Sequence, residues 1–300
     1  MLDHGNDAPA APTRVVVMGA AGFVGKAIAG RLEQDRVPVL RLTRREVDLL
    51  VADGADRLAA RLRPADILVA AAALAPCRSA AMLRDNMIIA AAMLKAATTV
   101  PLGQVVNISS DAIYADSASP LTEASSKAPE SLHGTMHLAR EIMFASEINV
   151  PLVMLRPTLI YGAADPHNGY GPNRFRRLAA AGEAIALFGK GEERRDHVLI
   201  DDVAELAARV IYRRSTGTLN VATGTIASFR DIAEMVVRMS PRPVPIEELP
   251  RTGPMPHNGY RAFDITNCRA AFRDFAFTPL ERGLTKTMEE AQSPRAGVLA

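Results

Sequence analysis

Apolar residues along this chain come in short runs, and each run ends in a turn-forming or polar cluster. The first is Val15-Val16-Val17-Met18, which passes straight into Gly19-Ala20-Ala21-Gly22-Phe23-Val24-Gly25 and then a helix-compatible stretch at 26–32. Further runs at 37–42, 66–73, 104–108 and 152–155 predict strands. Their lack of a polar face places them in a sheet covered on both sides. Long Ala/Met/Leu-rich helical patterns at 80–97 and 131–148 separate the later runs. Strands alternating with helices of these lengths predict an α/β fold, a parallel, doubly wound sheet with right-handed crossovers.

The pattern changes after residue 155. Residues 156–173 are rich in Pro, Gly, Asn and Asp and predict an irregular loop. A helix at 174–181, a strand at 184–188 and a helix at 201–212 with acids in its first turn follow. Six prolines in 241–256 exclude regular helix there. The expected organisation is a disordered tail at 1–12, a first domain carrying the sheet at 13–165, and a smaller second domain at 166–300. Some segments of the last return to the first domain.

Composition narrows the function. Three hundred residues are enough for a sizeable core. A net charge of +2 with 23% charged residues gives no basic surface for nucleic acid or an acidic membrane. Cys77 and Cys268 are far apart and outside any Cys-x-x-Cys, which predicts a reducing compartment and no metal cluster. The longest apolar stretch, 67–75, is well short of the roughly 20 residues of a spanning helix. The polar, Ala/Pro-rich start carries no signal-peptide core, so a cytoplasmic location is expected.

The candidate chemistry begins at the glycines. Gly19, Gly22 and Gly25 stand at G-x-x-G-x-x-G spacing between a strand and a helix opened by Phe23 and Val24. Free N–H groups and the helix dipole then point at one spot, a place for a pyrophosphate. Ala71, in a run of small residues at a strand's carboxyl end, leaves room for a ligand there. The second strand ends in Arg44-Arg45 rather than an acid. That pair is either a guanidinium fork for a 2′-phosphate, favouring NADP over NAD, or a solvated basic loop. Asn173 and Arg174 open a helix after a Gly/Pro loop, where N–H groups and an arginine could grip phosphate.

Four segments in order complete the pattern: the glycine turn, Ser109-Ser110-Asp111-Ala112-Ile113-Tyr114, Arg156-Pro157-Thr158-Leu159-Ile160-Tyr161-Gly162, and Arg195-Asp196-His197-Val198-Leu199-Ile200-Asp201-Asp202-Val203. In these the chain resembles the extended short-chain dehydrogenase/reductase family, of the NAD-dependent epimerase/dehydratase type that modifies nucleotide sugars. The resemblance covers 13–290. It implies a Rossmann-type sheet with a smaller C-terminal substrate-binding domain, a nucleotide-sugar or related phosphorylated substrate, and a homodimer paired through 80–97 and 131–148. The second strand is most similar to the GDP-fucose synthase branch, which implies that Arg44 holds the cofactor's 2′-phosphate and Asp48 lies near the adenine. Ser110 maps to the hydroxyl that bonds the reacting substrate oxygen. Asp111 stands where dehydratase relatives carry an acid, or is a turn-forming aspartate. Arg195 matches the arginine on the substrate diphosphate, and Arg261 is a second candidate.

One departure is decisive for function. The family's Tyr-x-x-x-Lys pair maps onto 132–141, where Gly134, Leu138, Ala139 and Glu141 fit the register but tyrosine is His133 and lysine is His137. No tyrosine elsewhere has a lysine four residues on. Three readings follow. His133 can act as general acid/base, with His137 toward the nicotinamide ribose. The chemistry can be lost while binding persists. The pair at i and i+4 can hold a metal, although no third ligand is evident.

Overall fold

The computed structural model describes residues 2–292. The first half of the chain forms β1 (Leu2–His4), β2 (Val15–Met18), α1 (Phe23–Gln34), β3 (Val39–Leu42), α2 (Gly54–Ala59), β4 (Ile67–Ala70), α3 (Ala80–Thr99), β5 (Gln104–Ile108) and α4 (Leu132–Glu147). The second half forms β6 (Leu152–Pro157), β7 (Leu159–Tyr161), α5 (Pro172–Ala181), β8 (Ile185–Phe188), β9 (Arg194–Leu199), α6 (Ile200–Tyr212), β10 (Ser215–Val221), β11 (Ile226–Ser228), α7 (Phe229–Met239), β12 (Ile246–Leu249), β13 (Tyr260–Arg261), α8 (Thr266–Ala271) and α9 (Leu280–Gln292).

A seven-stranded sheet runs in the order β1-β10-β6-β5-β4-β2-β3, parallel throughout except for β1. Its apolar runs are buried because both faces are covered by helices. Side chains alternate across a strand, so Val15 and Val17 of β2 and Ile67 and Val69 of β4 share one core with Ile28 and Leu32 of α1 and Val203 and Leu206 of α6. Val16, Met18, Leu68 and Ala70 point the other way, onto Leu58 of α2, Met93 of α3 and Phe144 of α4. This is the expected doubly wound α/β architecture. Although late in sequence, α6 and β10 belong to this layer, since β10 pairs with β6. Among the described residues no helix is long and apolar enough to cross a membrane.

Outside the sheet, β8 and β12 form a two-stranded ribbon whose core joins Phe175 of α5, Phe229 and Ile232 of α7, and Leu284 of α9. A second small sheet places β9 between β11 and β13, with β7 also on β9.

Two expectations need correction. The start of the chain is not a loose tail: β1 pairs antiparallel with β10, His4 Nδ1 lies 2.8 Å from Ser215 Oγ, and the Asn6 and Ala10 amides donate to carbonyls of Arg213 and Tyr212. Backbone pairing at a sheet edge orders it without any apolar run. The stretch 156–173 is not one irregular loop, because β6 continues to Pro157 and β7 and the first two residues of α5 fall inside it. The proline-rich segment 241–256 holds no α-helix, as expected, and adds a strand, β12, which pairs with β8 between its prolines. Conversely, the run 66–73 leaves the sheet after Ala70, which frees its last residues to line a cavity.

Candidate active site

A cavity of about 540 Å³ opens where β2, β4, β5 and β6 end. Open parallel sheets bind ligands at that edge. Its walls include Gly22 to Gly25, Ala71, Ser109 to Ala112, His133, His137, Thr158 to Ile160, Asn173, Arg195 and Arg261.

The glycine turn is built by close approach. The Gly19 and Ala20 amides donate to the Leu42 carbonyl at 2.9 and 3.1 Å, which ties the turn to the end of β3. A Cβ on Gly25 would overlap the Gly19 carbonyl, so only glycine lets α1 start directly on the turn. Helix α1 has no side-chain cap, and its first internal bond runs from Lys26 to Gly22. The amides of Phe23, Val24 and Gly25 therefore precede that bond, in the cavity wall and open to an anion. This cradle fits a dinucleotide pyrophosphate. Ala71, its amide on the Met18 carbonyl at 3.0 Å, forms the neighbouring wall.

Arg44 and Asp48 follow β3 and lie outside the cavity lining. Arg44 Nε donates to Asp48 Oδ2 at 3.1 Å from a largely exposed side chain. The Leu50 amide and then Arg44 hold the Asp48 carboxyl below its usual range. An exposed pair of this kind is weak and exchanges easily for another anion.

Another corner of the cavity is assembled by a second close approach. Ser110 caps a short 3-10 turn at Asp111–Ile113, its Oγ accepting from the Ala112 amide at 3.2 Å and donating to Asp111 Oδ1 at 3.4 Å. A Cβ on Gly134 would overlap the Ala112 carbonyl, so this glycine lets α4 lie on that turn and brings His133 into the same wall as Ser110. Ser131 caps α4 by accepting from the Gly134 amide at 3.1 Å.

His133 Nδ1 accepts from the Cys77 amide at 3.4 Å, a long bond. Burial pushes His133 below the ordinary histidine range. Asp111 opposes that shift, and Arg140 and His167 add to it. His137 is buried with Nδ1 unpartnered, and burial drives it well below that range. Both imidazoles are therefore neutral at neutral pH.

The proposed substrate grips divide. Arg195 lies in the wall with Nη1 on Glu193 Oε1 at 3.1 Å and its Nε buried and unpartnered. Arg261 reaches the cavity, but Nε donates to Asp111 Oδ2 at 3.0 Å and Nη1 to Asp116 Oδ1 at 3.1 Å. It is a buried clamp on Asp111 rather than an open grip. Asn173 uses its amide on the chain itself, accepting from the Gly162 amide and donating to the Ile160 carbonyl, both at 3.1 Å. Arg174 is exposed and outside the lining, because it faces away on α5.

The sequence pattern of the NAD dependent epimerase/dehydratase family matches residues 15–222. The chain belongs to that family. The chain is 26% identical over 315 residues to dTDP-4-dehydro-6-deoxy-D-allose reductase of Streptomyces bikiniensis, covering 91% of this chain and 94% of that protein. It is also 26% identical over 311 residues to UDP-glucose 4-epimerase of Mycolicibacterium smegmatis, with 92% and 97% covered. In fold it is similar to the UDP-glucose 4-epimerase of Thermus thermophilus in complex with NAD, at TM-score 0.81, 22% identity and coverage of 93% and 98%.

Within this epimerase/dehydratase frame the cavity also holds residues that motif reading passes over. Arg140 stands three positions after His137 on the same helix face, a periodicity visible in the sequence. Arg78, His167 and His257 arrive from loops, for which no local pattern exists.

Proposed function

We propose that this chain is an NAD(P)-dependent oxidoreductase or epimerase acting on a nucleotide-linked sugar, with the imidazole of His133 in place of the family's tyrosine. The observation that carries this reading is a neutral histidine in one cavity wall with the Ser110 hydroxyl. The cradle at Gly22 to Gly25 would hold the cofactor pyrophosphate, and a bound nicotinamide supplies or accepts hydride at a sugar carbon. The protein handles the proton. Ser110 hydrogen-bonds the reacting oxygen, and neutral His133 takes the hydroxyl proton as the carbonyl forms. The imidazolium so formed is balanced by Asp111, which Arg261 holds in place. Returning that proton to the same oxygen, as hydride comes back to the other face of the sugar carbon, completes epimerisation; net reduction of a keto-sugar would run this second half alone, with His133 relaying a proton taken up from solvent.

Asp111 is thus an electrostatic anchor. Its engagement by Arg261 and Ser110 disfavours the dehydratase reading, which needs a free acid. Arg195 would meet the diphosphate. Arg44 would meet a 2′-phosphate and favour NADP, with Asp48 released toward the adenosine. Exposed Ile88 on α3 and Ile142 on α4 suit a homodimer seam. Two buried free cysteines suit a reducing compartment such as the cytoplasm.

The test is a panel of UDP- and dTDP-linked hexoses and their 4-keto forms, read by nicotinamide absorbance and product analysis. Turnover of at least one is expected. Tight cofactor binding without turnover of any would assign the chain a binding role instead.

A further inference from the structure

A second polar assembly borders the cavity, separate from the corner that holds Ser110 and His133. His257, in the short 3-10 turn Pro256–Gly259 before β13, lines the cavity together with Arg261. Its Nδ1 lies 2.5 Å from Asp116 Oδ1 and 3.1 Å from Arg261 Nη1. A carboxylate only accepts, and Arg261 Nη1 has the same Asp116 oxygen as its acceptor at 3.1 Å. The Nδ1 proton therefore faces Asp116, and Nε2 carries the lone pair. Nε2 has no partner among the described residues, and it is not sealed in the interior.

This histidine is held more firmly than a surface loop requires. His257 and Asn258 both take left-handed φ, 52° and 50°, which consecutive non-glycine residues seldom hold without compensating contacts. Asp116 is fixed in turn by Arg261, a buried side chain whose Nε donates to Asp111 at 3.0 Å. Along β13, Arg261 also stands opposite Arg195 of β9. The assembly is thus tied to the turn that carries Ser110 and to the strand that carries Arg195. In a hexosyl nucleotide the ring hydroxyls lie between the reacting oxygen and the diphosphate.

We infer that His257, oriented by Asp116, is a specificity-determining residue of the substrate site, its Nε2 accepting a hydrogen bond from a ring hydroxyl of the nucleotide-linked sugar. The inference rests on the reading of the chain as a sugar-nucleotide enzyme and adds a contact that the proton chemistry of His133 does not supply. Asp116 is a positioning residue that acts through the imidazole. Burial, then Arg195 and Arg261, hold His257 below the ordinary histidine range against the pull of Asp116, so the bare nitrogen is present at neutral pH.

The test is calorimetric titration of UDP-glucose and dTDP-glucose, each beside its free nucleoside diphosphate, in the presence of NADPH. The proteins are the parent, His257→Phe, which keeps a ring but loses the acceptor, and Asp116→Asn, which releases the tautomer. Hexose-nucleotide affinity should fall about tenfold in His257→Phe and by less in Asp116→Asn, while UDP and dTDP change less than twofold. Cofactor affinity should match the parent's in both variants, as it would in an intact fold. Imidazole nitrogen-15 spectra of the ligand-free parent should show His257 protonated at Nδ1 and bare at Nε2. Equal losses for hexose nucleotide and free nucleotide, no loss in His257→Phe, or a His257 protonated at Nε2 would overturn this inference alone. A parent that binds neither hexose nucleotide would overturn the functional reading and this inference with it.

Discussion

The rings of His133 and His137 meet edge to face with centroids 4.7 Å apart, on one face of α4 and at the wall of the cofactor-side cavity. Two neutral imidazoles thus occupy the positions where the family resemblance expects tyrosine and lysine. His137 is the deeper of the two and burial holds it unprotonated, so the proposed proton chemistry is assigned to His133.

The substrate grip is tested at Arg195. Its unpartnered Nε and its place in the wall predict a charge-assisted bond to phosphate, worth about 1.5–3 kcal/mol. Arg195→Met should raise KM for the nucleotide sugar roughly 10- to 100-fold while the cofactor dissociation constant stays constant. A KM within twofold of the parent would remove Arg195 from the substrate site.

Cofactor choice is tested at Arg44. The parent should bind NADPH more tightly than NADH, and Arg44→Ala should bring the two dissociation constants together. Since the Arg44–Asp48 pair is exposed, losing it should leave the melting temperature almost unchanged. Equal affinities in the parent would show that Arg44 is a solvent-facing charge.

Acid should destabilise the fold through its buried histidines. His197 is fully buried with both ring nitrogens unpartnered, and burial pushes it down to about 3. An unfolded histidine titrates near 6.5, so below that pH the unfolded chain binds the extra proton and stability is lost. Between pH 7 and 5 this amounts to about 2 kcal/mol for His197. Asp196, raised by burial to about 6, works in the opposite direction below that pH and offsets part of the loss. His197→Leu should flatten the fall in melting temperature between pH 7 and 5. A fall as steep as the parent's would place the acid sensitivity elsewhere.

Association is tested at Ile142, 61% exposed on α4. The protein should run as a dimer at micromolar concentration, and Ile142→Glu should convert it to monomer. A monomeric parent mass would contradict the pairing.

Strands β2 to β6 of the central sheet were legible as apolar runs, and the helices between them are long enough to show their period, whereas β10 was not, its run being broken by Ser215, Thr216, Gly217, Thr218 and Asn220. Strands β1, β7 and β12 were not legible, since three or four residues held by backbone pairing leave no side-chain pattern. In the site, the motif register located Ser110, His133 and His137. It could not foresee that Arg261 would be consumed by Asp111, a contact across 150 positions, or that Asn173 would spend its amide on β7 and Gly162. Arg140 was within reach of helical periodicity, but no motif drew the eye to it.

The proposed activity turns on His133 carrying the proton. The most direct measurement is kcat/KM for sugar oxidation across pH, in the parent and in His133→Phe. The base form of a histidine held below the ordinary range is fully present at neutral pH and is lost as pH falls through its lowered value, so the parent's rate should be level above pH 7 and fall only on the acid side. His133→Phe should lose about 10²- to 10⁴-fold in rate while binding cofactor as the parent does. Equal rates in the two proteins, or a parent profile that rises only near the tyrosine range around pH 10, would contradict it.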